Sequence, residues 1–338
     1  MSGFVTQEAF AAALTDLPAS DPAMIEAAVA RQADLTKPAG SLGRLEEIAT
    51  FMAGWDGTER PALNLVQAIV FAGEHGVAAR GVSAFPPEVT RQMVANFRAG
   101  GAAINALSRA CGAELSVVDL TADGPTCDIT VAPAMSEAEC LAALSAGAAA
   151  VNGDADLLIV GEMGIGNTTP ASAICAQGFG ESAEAWVGRG TGVDLDGLNR
   201  KRQAVDAALQ LHGSHCTTPF ETLRRLGGRE IAAMAGAILE ARRQRIPVLL
   251  DGFICCAAIA PLALNDPAFT DHCLAAHVSA EAAHGRLLER LNLRPLLQLD
   301  MRLGEGTGAA VAVQLVRSAL AMHNEMATFA EAVVTAAP

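Results

Sequence analysis

The sequence is poor in aromatic side chains and in lysine. It contains no tyrosine, only 4% of its 338 residues are aromatic, and lysine occurs at two positions, 37 and 201. A core must therefore be built mainly from Ala, Leu, Val and Ile, which is typical of helices packed closely on a sheet. Hydrophobic residues make up 51% of the chain and charged residues 18%. This balance excludes a largely disordered chain.

Runs of basic residues and long apolar runs are also missing. The net charge is −14, and without clustered Lys and Arg a nucleic-acid-binding surface is excluded. A small anionic ligand remains possible, because glycine loops and helix N-termini provide positive potential. The apolar stretch 254–264 is too short to span a bilayer. The N-terminal segment MSGFVTQEAF has no charged leader followed by an apolar run. We therefore expect a cytoplasmic protein without membrane partners.

The eight cysteines form no C-x-x-C pair, and we interpret them as buried, reduced thiols. Two groups contain both histidine and cysteine: His212, His215 and Cys216 form one, and the segment 272–277 holds the other. Neither has the spacing of a zinc signature. The sequence therefore predicts no metal site.

Short apolar segments with β character alternate with helix-like segments along the central part of the chain. This alternation predicts an α/β fold, a Rossmann-like open and mainly parallel sheet with helices on both faces. The predicted strands are 66–71, 115–120, 157–160, 248–250 and 275–278, and helices are predicted over 87–97, 137–151, 196–211 and 229–242.

Both ends of the sequence show helical patterns without an obvious strand. Ser20-Asp21-Pro22 is a helix start, Ser41 is a candidate cap for a helix that runs to about Trp55, and residues 307–334 are helical in pattern. We predict a small helical domain built from residues 1–60 and about 307–338. A large α/β domain would span residues 61–306.

Two glycine-rich segments are candidate anion sites. Residues 161–174, GEMGIGNTTPASAI, follow a predicted strand and lead into a helix start, so backbone N–H groups could surround an anion. The segment lacks the Walker lysine and does not fit G-x-G-x-x-G. Residues 187–201, VGRGTGVDLDGLNRK, end at Lys201, which could complete a phosphate site. The alternatives are a tight turn for the first segment and a solvated surface lysine for Lys201.

Two further segments carry polar side chains after predicted strands. Residues 72–93 include Glu74, His75, Ser83 and Gln92, and an ordinary surface loop is the alternative interpretation. In RLGEGTGAAVAVQL, Glu305 lies between two glycines in an apolar setting. A partly desolvated carboxylate suits general-base chemistry because burial raises its pKa. The alternative is that Glu305 caps the following helix.

Six segments in a fixed order connect the chain to a known family. They are KPAGSLGRLE (37–46), EHGV with GVSAFPPEVTRQM (74–93), GEMGIGNTT (161–169), GRGTGVD (188–194), LDGF (250–253) and LGEGTGAA (303–310). From about residue 30 to about residue 330 the sequence resembles nicotinate-nucleotide–dimethylbenzimidazole phosphoribosyltransferases. The resemblance implies transfer of a phosphoribosyl group from nicotinate mononucleotide to 5,6-dimethylbenzimidazole, in a homodimer. It implies no cofactor and no metal.

The resemblance also implies roles for individual residues. Glu305 corresponds to the catalytic base, Lys201 to a phosphate ligand, and Glu162 with Gly164 to contacts on the ribose and phosphate side. Ser83 and Gln92 belong to the loop that lines the benzimidazole pocket. Phe85 stands where relatives often carry another aromatic residue. The remaining substrate-binding residues implied are Gly166, Asn167, Thr168, Gly190 and Leu303.

Three other functions compete with this interpretation. One is a related transferase with another acceptor, such as adenine or a phenol. The second is a nucleotide-binding sensor without turnover, against which Glu305 and Lys201 argue. The third is a dinucleotide oxidoreductase, which the missing G-x-G-x-x-G after the first strand disfavours.

Overall fold

The computed structural model describes residues 3–190 and 192–335. The strands are β1 Val66–Ala72, β2 Ala113–Asp119, β3 Leu157–Met163, β4 Val248–Leu250, β5 Cys273–Ala275, β6 His277–Val278 and β7 Leu297–Gln298. The α-helices are α1 Gln7–Ala13, α2 Pro22–Asp34, α3 Arg44–Asp56, α4 Val89–Ala99, α5 Ala103–Cys111, α6 Glu137–Ala150, α7 Thr168–Phe179, α8 Ala183–Trp186, α9 Leu195–His212, α10 Pro219–Leu226, α11 Arg229–Arg243, α12 Phe253–Asn265, α13 His284–Arg290, α14 Thr307–Glu325 and α15 Phe329–Ala332.

The central sheet has five parallel strands in the order β2-β1-β3-β4-β5, and β6 pairs with β7 in a separate two-stranded ladder. The predicted α/β fold is confirmed. After β2 the chain crosses back and adds β3 on the other side of β1. Such a reversal of strand order opens a crevice at the carboxyl ends of the two neighbouring strands, where α/β proteins bind ligands.

Helices cover both faces of the sheet, because alternate strand residues enter two separate cores. Ile69 and Phe71 of β1 lie in one core with residues of α6, α7, α11 and α12. Ala68 and Val70 lie in the other core with residues of α3, α5 and α14. Fully buried parallel strands consist of near-continuous apolar residues, which is why these strands are recognisable in the sequence.

Helix α3 and helix α14, near opposite ends of the chain, contribute to the same core against the sheet. Their buried residues include Ile48 and Met52 of α3 and Val313 and Val316 of α14. The division into a small terminal domain and a large one stays a prediction. Residues 1, 2 and 336–338 of that predicted domain lie outside the described residues.

Helix termini differ from the predictions in two places. Asp21 caps α2 as expected, accepting bonds from the amides of Ala23 and Met24. Ser41 does not cap α3, which begins at Arg44 without a side-chain cap. The helical pattern over residues 307–334 corresponds to two helices, since α14 ends at Glu325 and α15 follows at Phe329–Ala332. Within residues 3–190 and 192–335, no helix is both long and apolar enough to cross a membrane.

Candidate active site

A cavity of about 300 Å³ lies at the carboxyl ends of β3 and β4, next to the reversal of strand order. Its volume is at the lower end of the range for small-molecule sites. Eleven of the twelve predicted site residues line it: Ser83, Phe85, Glu162, Gly164, Gly166, Asn167, Thr168, Gly190, Lys201, Leu303 and Glu305. The structure therefore brings together segments that are far apart in the sequence.

Glu305 lies on a turn with an unusual backbone. Gly304, Glu305 and Gly306 have φ angles of 85°, 62° and 85°. The left-handed region costs a residue with a Cβ about 1–2 kcal/mol, so the surrounding structure must hold Glu305 there. Gly161 makes room for the turn, since a Cβ at this position would collide with the carbonyl group of Glu305. This residue order thus brings a carboxylate close to β3.

The Glu305 carboxylate is buried and does not cap the helix that follows it. Its Oε2 accepts a hydrogen bond from the backbone amide of Ile104, at the start of α5, at 3.3 Å. Burial raises the pKa of Glu305, the Ile104 amide lowers it, and the negative charge of Asp251 raises it further. The carboxylate is thereby made more basic than an exposed one, as a general base requires.

Glu162, near the end of β3, is the second carboxylate of the cavity. Burial raises its pKa to about 8, opposed by a hydrogen bond from Asn167 and supported by the charges of Glu230, Asp251 and Glu305. Glu162 is therefore protonated at neutral pH and can donate a hydrogen bond. Asn167 occupies the N-cap position of α7, but its side-chain amide donates to Glu162 and does not cap the helix.

Lys201 lies at another part of the cavity wall. Its side chain is almost fully buried, which excludes the solvated surface lysine. The Nζ atom donates to Thr168 Oγ1 and to the carbonyl oxygen of Gly188, each at 2.8 Å. Burial lowers the pKa of Lys201 to about 8, and the charge of Glu281 opposes this effect. With two of three N–H bonds used inside the protein, one remains for a ligand.

The glycine segment around Gly190 is held in place from two directions. The backbone amide of Gly190 donates to Glu281 Oε2 at 3.0 Å, and the carbonyl oxygen of Gly190 accepts from Arg302 at 3.2 Å. A Cβ at Gly190 would lie 3.2 Å from Lys201 Nζ, so glycine allows the backbone to approach the lysine. Thr191, in the same segment, lies outside the described residues.

The remaining wall is apolar. Val89 and Met93, four residues apart on α4, line the cavity, and Ser83 and Phe85 precede them in the chain. Phe85 and Leu303 are 51% and 56% exposed, respectively. Gln92 is exposed and is not among the residues that line the cavity, because the face of α4 with Val89 and Met93 points there. Its role in binding stays a prediction.

Several cavity residues were not predicted from the sequence. They are Asp251, His277, Ser279, Glu281 and Arg302. Asp251 had a usable signal, since it directly follows a predicted strand within the LDGF motif. The others lie on short or irregular segments, where an isolated polar residue does not stand out.

A parallel sheet with a largely apolar cavity, a buried lysine among glycine turns and a carboxylate of raised pKa defines an α/β enzyme suited to a small phosphorylated substrate. A family model described as phosphoribosyltransferase matches residues 17–334. The chain belongs to the family of nicotinate-nucleotide–dimethylbenzimidazole phosphoribosyltransferases, as its curated relatives show.

The individual matches extend over nearly the whole chain. The relative with this name from Novosphingobium aromaticivorans is 62% identical over 332 residues, which cover 98% of each chain. That from Cereibacter sphaeroides is 57% identical over 329 residues, 97% of each chain. The crystal structure of CobT from Thermus thermophilus is similar with a TM-score of 0.88 and 42% identity, covering 94% of this chain and all of that one.

Proposed function

We propose that this protein transfers the 5-phosphoribosyl group from nicotinate mononucleotide to 5,6-dimethylbenzimidazole. The products are α-ribazole 5′-phosphate and nicotinate, for assembly of the cobalamin nucleotide loop. The observation that carries the proposal is that one cavity holds both a carboxylate of raised pKa, Glu305, and a buried lysine, Lys201. The names of the near-full-length relatives support the same substrates.

The chemistry needs one base and no covalent intermediate. Nicotinate leaves with an uncharged pyridine nitrogen, because the C1′–N bond of the pyridinium donor breaks with its electron pair returning to nitrogen. The free ring nitrogen of the benzimidazole attacks C1′ from the opposite side, which inverts β to α. The benzimidazole ring, once bonded to C1′, would carry a positive charge unless its other nitrogen loses its proton. The Glu305 carboxylate is the acceptor of that proton.

The rest of the cavity binds and orients the donor. Lys201 and the backbone amides at the start of α7 bind the 5′-phosphate. The lysine provides a charge-assisted hydrogen bond, and a helix N-terminus favours a bound anion. Protonated Glu162 donates a hydrogen bond to a ribose hydroxyl. The negative charge of Glu305 also stabilises the positive charge that develops at C1′. The apolar wall at Val89 and Met93 receives the acceptor ring.

The test is a product assay with nicotinate mononucleotide and a panel of acceptors comprising benzimidazoles, adenine and phenol. We expect nicotinate release that depends on the benzimidazole, together with an α-configured product identified by its anomeric NMR signal. Preference for adenine or phenol would show that the protein is a related transferase with another acceptor. Tight binding of the nucleotide without nicotinate release would indicate a sensor.

The proposal includes a homodimer in the cytoplasm. Phe85 and Leu303 expose apolar surface at the cavity, and a second subunit would cover it. Among the described residues every cysteine is a free thiol, which suits a reducing compartment. Removal of the residues before Leu45 should reduce both dimerisation and turnover in sedimentation and rate measurements. A fully active monomer at assay concentration would contradict the dimer.

A further inference from the structure

Asp251 follows β4 directly and is almost completely buried beside the cavity. Its two oxygens are used separately. Oδ2 accepts from the backbone amide of Gly306 at 3.2 Å, and Oδ1 accepts from the amide of Ala309 at 2.9 Å. These amides belong to the start of α14, so the carboxylate of Asp251, which is distant in sequence, caps this helix. Asp251 thus reaches the chain on the C-terminal side of Glu305.

The turn that carries Glu305 is fixed by contacts on both of its sides. On one side the Glu305 amide donates to the carbonyl oxygen of Glu162 at 3.3 Å. On the other side lie the Asp251 contacts and the bond from the Thr307 hydroxyl to the Gly304 carbonyl at 2.8 Å. Since three successive residues have positive φ angles, the turn depends on these contacts for its shape.

We propose that Asp251 is a positioning residue for the catalytic base, which locks the turn 304–306 so that the Glu305 carboxylate faces the acceptor nitrogen. This inference rests on the proposed function. Asp251 itself acts through the backbone of Gly306 and Ala309. The LDGF motif, residues 250–253, thereby has a role in shaping the site.

Three other titratable groups bear on the test. Glu162 of β3 interacts electrostatically with Asp251 and Glu305, and also with Glu230 of α11. His277 of β6 has its Nε2 atom 3.6 Å from Asp251 Oδ1. None of the three accepts a hydrogen bond from the backbone amides of Gly306 or Ala309, which bind to Asp251. Removal of Asp251 therefore has an effect on the turn that these neighbours cannot replace.

The main experiment compares Asp251→Asn with the parent enzyme. The side-chain amide of the introduced asparagine places an N–H group against one of the two backbone amides, so one bond is lost. We expect kcat to fall at least about tenfold, because small displacements of a reacting group are costly, while the KM for nicotinate mononucleotide stays within about threefold. The acidic limb of the pH–rate profile should move to lower pH, because one negative charge near Glu305 is gone.

A double-mutant cycle separates positioning from general damage. If Asp251 acts through Glu305, Asp251→Asn should reduce the residual activity of Glu305→Gln by less than about threefold. Asp251→Ser, a smaller side chain without charge, is the second variant in case the first one is insoluble, and the same results are expected for it.

Asp156→Ser, matched to Asp251→Ser, is the control, because Asp156 accepts both of its bonds with one oxygen, Oδ2, and an asparagine there could keep them. Asp156 also binds two backbone amides, those of Asn64 and Leu65, but it lies at the opposite end of β3. We expect it to lower the melting temperature without changing kcat or the acidic limb. A kcat within about threefold of the parent for Asp251→Asn, or an undiminished loss in the Glu305→Gln background, would overturn the inference. A parent enzyme without acceptor-dependent nicotinate release would instead overturn the proposed function.

Discussion

The backbone amide of Glu305 donates a hydrogen bond to the carbonyl oxygen of Glu162 at 3.3 Å. This bond joins the end of β3 to the turn before α14, so Glu162 and Glu305 share one backbone support. Gly161 and Gly304 make the arrangement possible. A Cβ at Gly304 would collide with the Glu162 carboxyl group, and a Cβ at Gly161 would collide with the Glu305 backbone. The Glu305 carboxylate is therefore held by a backbone bond to β3 of the sheet.

Glu305→Gln keeps the shape of the side chain and removes its basicity. Because general bases typically contribute about 10²–10⁴-fold to rate, we expect kcat to fall by that order. Gln can still accept the hydrogen bond from the Ile104 amide, so the melting temperature should change little. A Gln variant with kcat within a few-fold of the parent would remove Glu305 from its role.

Lys201→Ala should raise the KM for nicotinate mononucleotide, because a charge-assisted contact to phosphate is lost. The control substrate is nicotinate riboside, which has no phosphate. The variant should use the riboside about as well as the parent does. An equal loss with both substrates would show that Lys201 supports the fold around Gly188 and does not bind the phosphate.

Lys201 and Glu305 also predict a pH dependence. Since burial lowers the pKa of Lys201 to about 8, the free enzyme loses this charge as the pH rises through about 8. We expect kcat/KM for the mononucleotide to decline above that pH more steeply than kcat/KM for the riboside, because only the ionisation of Glu162, whose pKa is also about 8, affects the riboside there. At acidic pH both should fall as Glu305 becomes protonated. Parallel basic limbs for the two substrates would contradict the assignment of Lys201.

Glu162 should affect stability in the opposite pH range from an ordinary carboxylate. The pKa of Glu162 is raised from 4.5 to about 8. Its contribution to the free energy of unfolding is therefore fully present below pH 4.5 and is lost as the pH rises through about 8. Glu162→Gln cannot ionise and keeps an acceptor for Asn167. The melting temperature of the variant minus that of the parent should therefore be at least about 2 °C larger at about pH 9 than at about pH 5. An unchanged difference would mean that Glu162 is ionised in both conditions.

The methyl groups of the acceptor test the apolar wall at Val89 and Met93. Each of the two methyl groups adds roughly 1 kcal/mol if fully buried, so the unsubstituted benzimidazole should be used up to about 30-fold less efficiently than the dimethyl form. The comparison uses kcat/KM for the two rings at saturating donor. Equal efficiency would place the methyl groups in solvent.

The fold was predictable from the sequence because its inner strands β1, β3 and β4 are largely apolar and buried on both faces. Strands β1, β3 and β4 begin at the predicted residues, and helices α6, α9 and α11 match the predicted ones within one or two residues. The glycine motifs predicted the cavity for a related reason. They follow parallel strands, whose carboxyl ends meet at one edge of the sheet.

The details that decide chemistry were not predictable in the same way. The bond from Asp251 to Ala309 spans 58 residues, and that from Glu305 to Ile104 spans 201. Local spacing contains no information on such contacts. The burial of Lys201 likewise depends on α7 and the Gly188 backbone packing around it. Gln92 is a predicted site residue that does not line the cavity. It directly precedes Met93, which does, and neighbouring residues of a helix point in different directions.

The most direct test of the account is a single-turnover measurement of nicotinate release with enzyme in excess over nicotinate mononucleotide, with and without dimethylbenzimidazole. We predict that nicotinate appears only when the acceptor is present, in a one-to-one ratio with α-ribazole 5′-phosphate, and that Glu305→Gln slows both products equally. Nicotinate release at the same rate without the acceptor, with ribose 5-phosphate as the product, would show that the cavity activates water and would contradict the central claim.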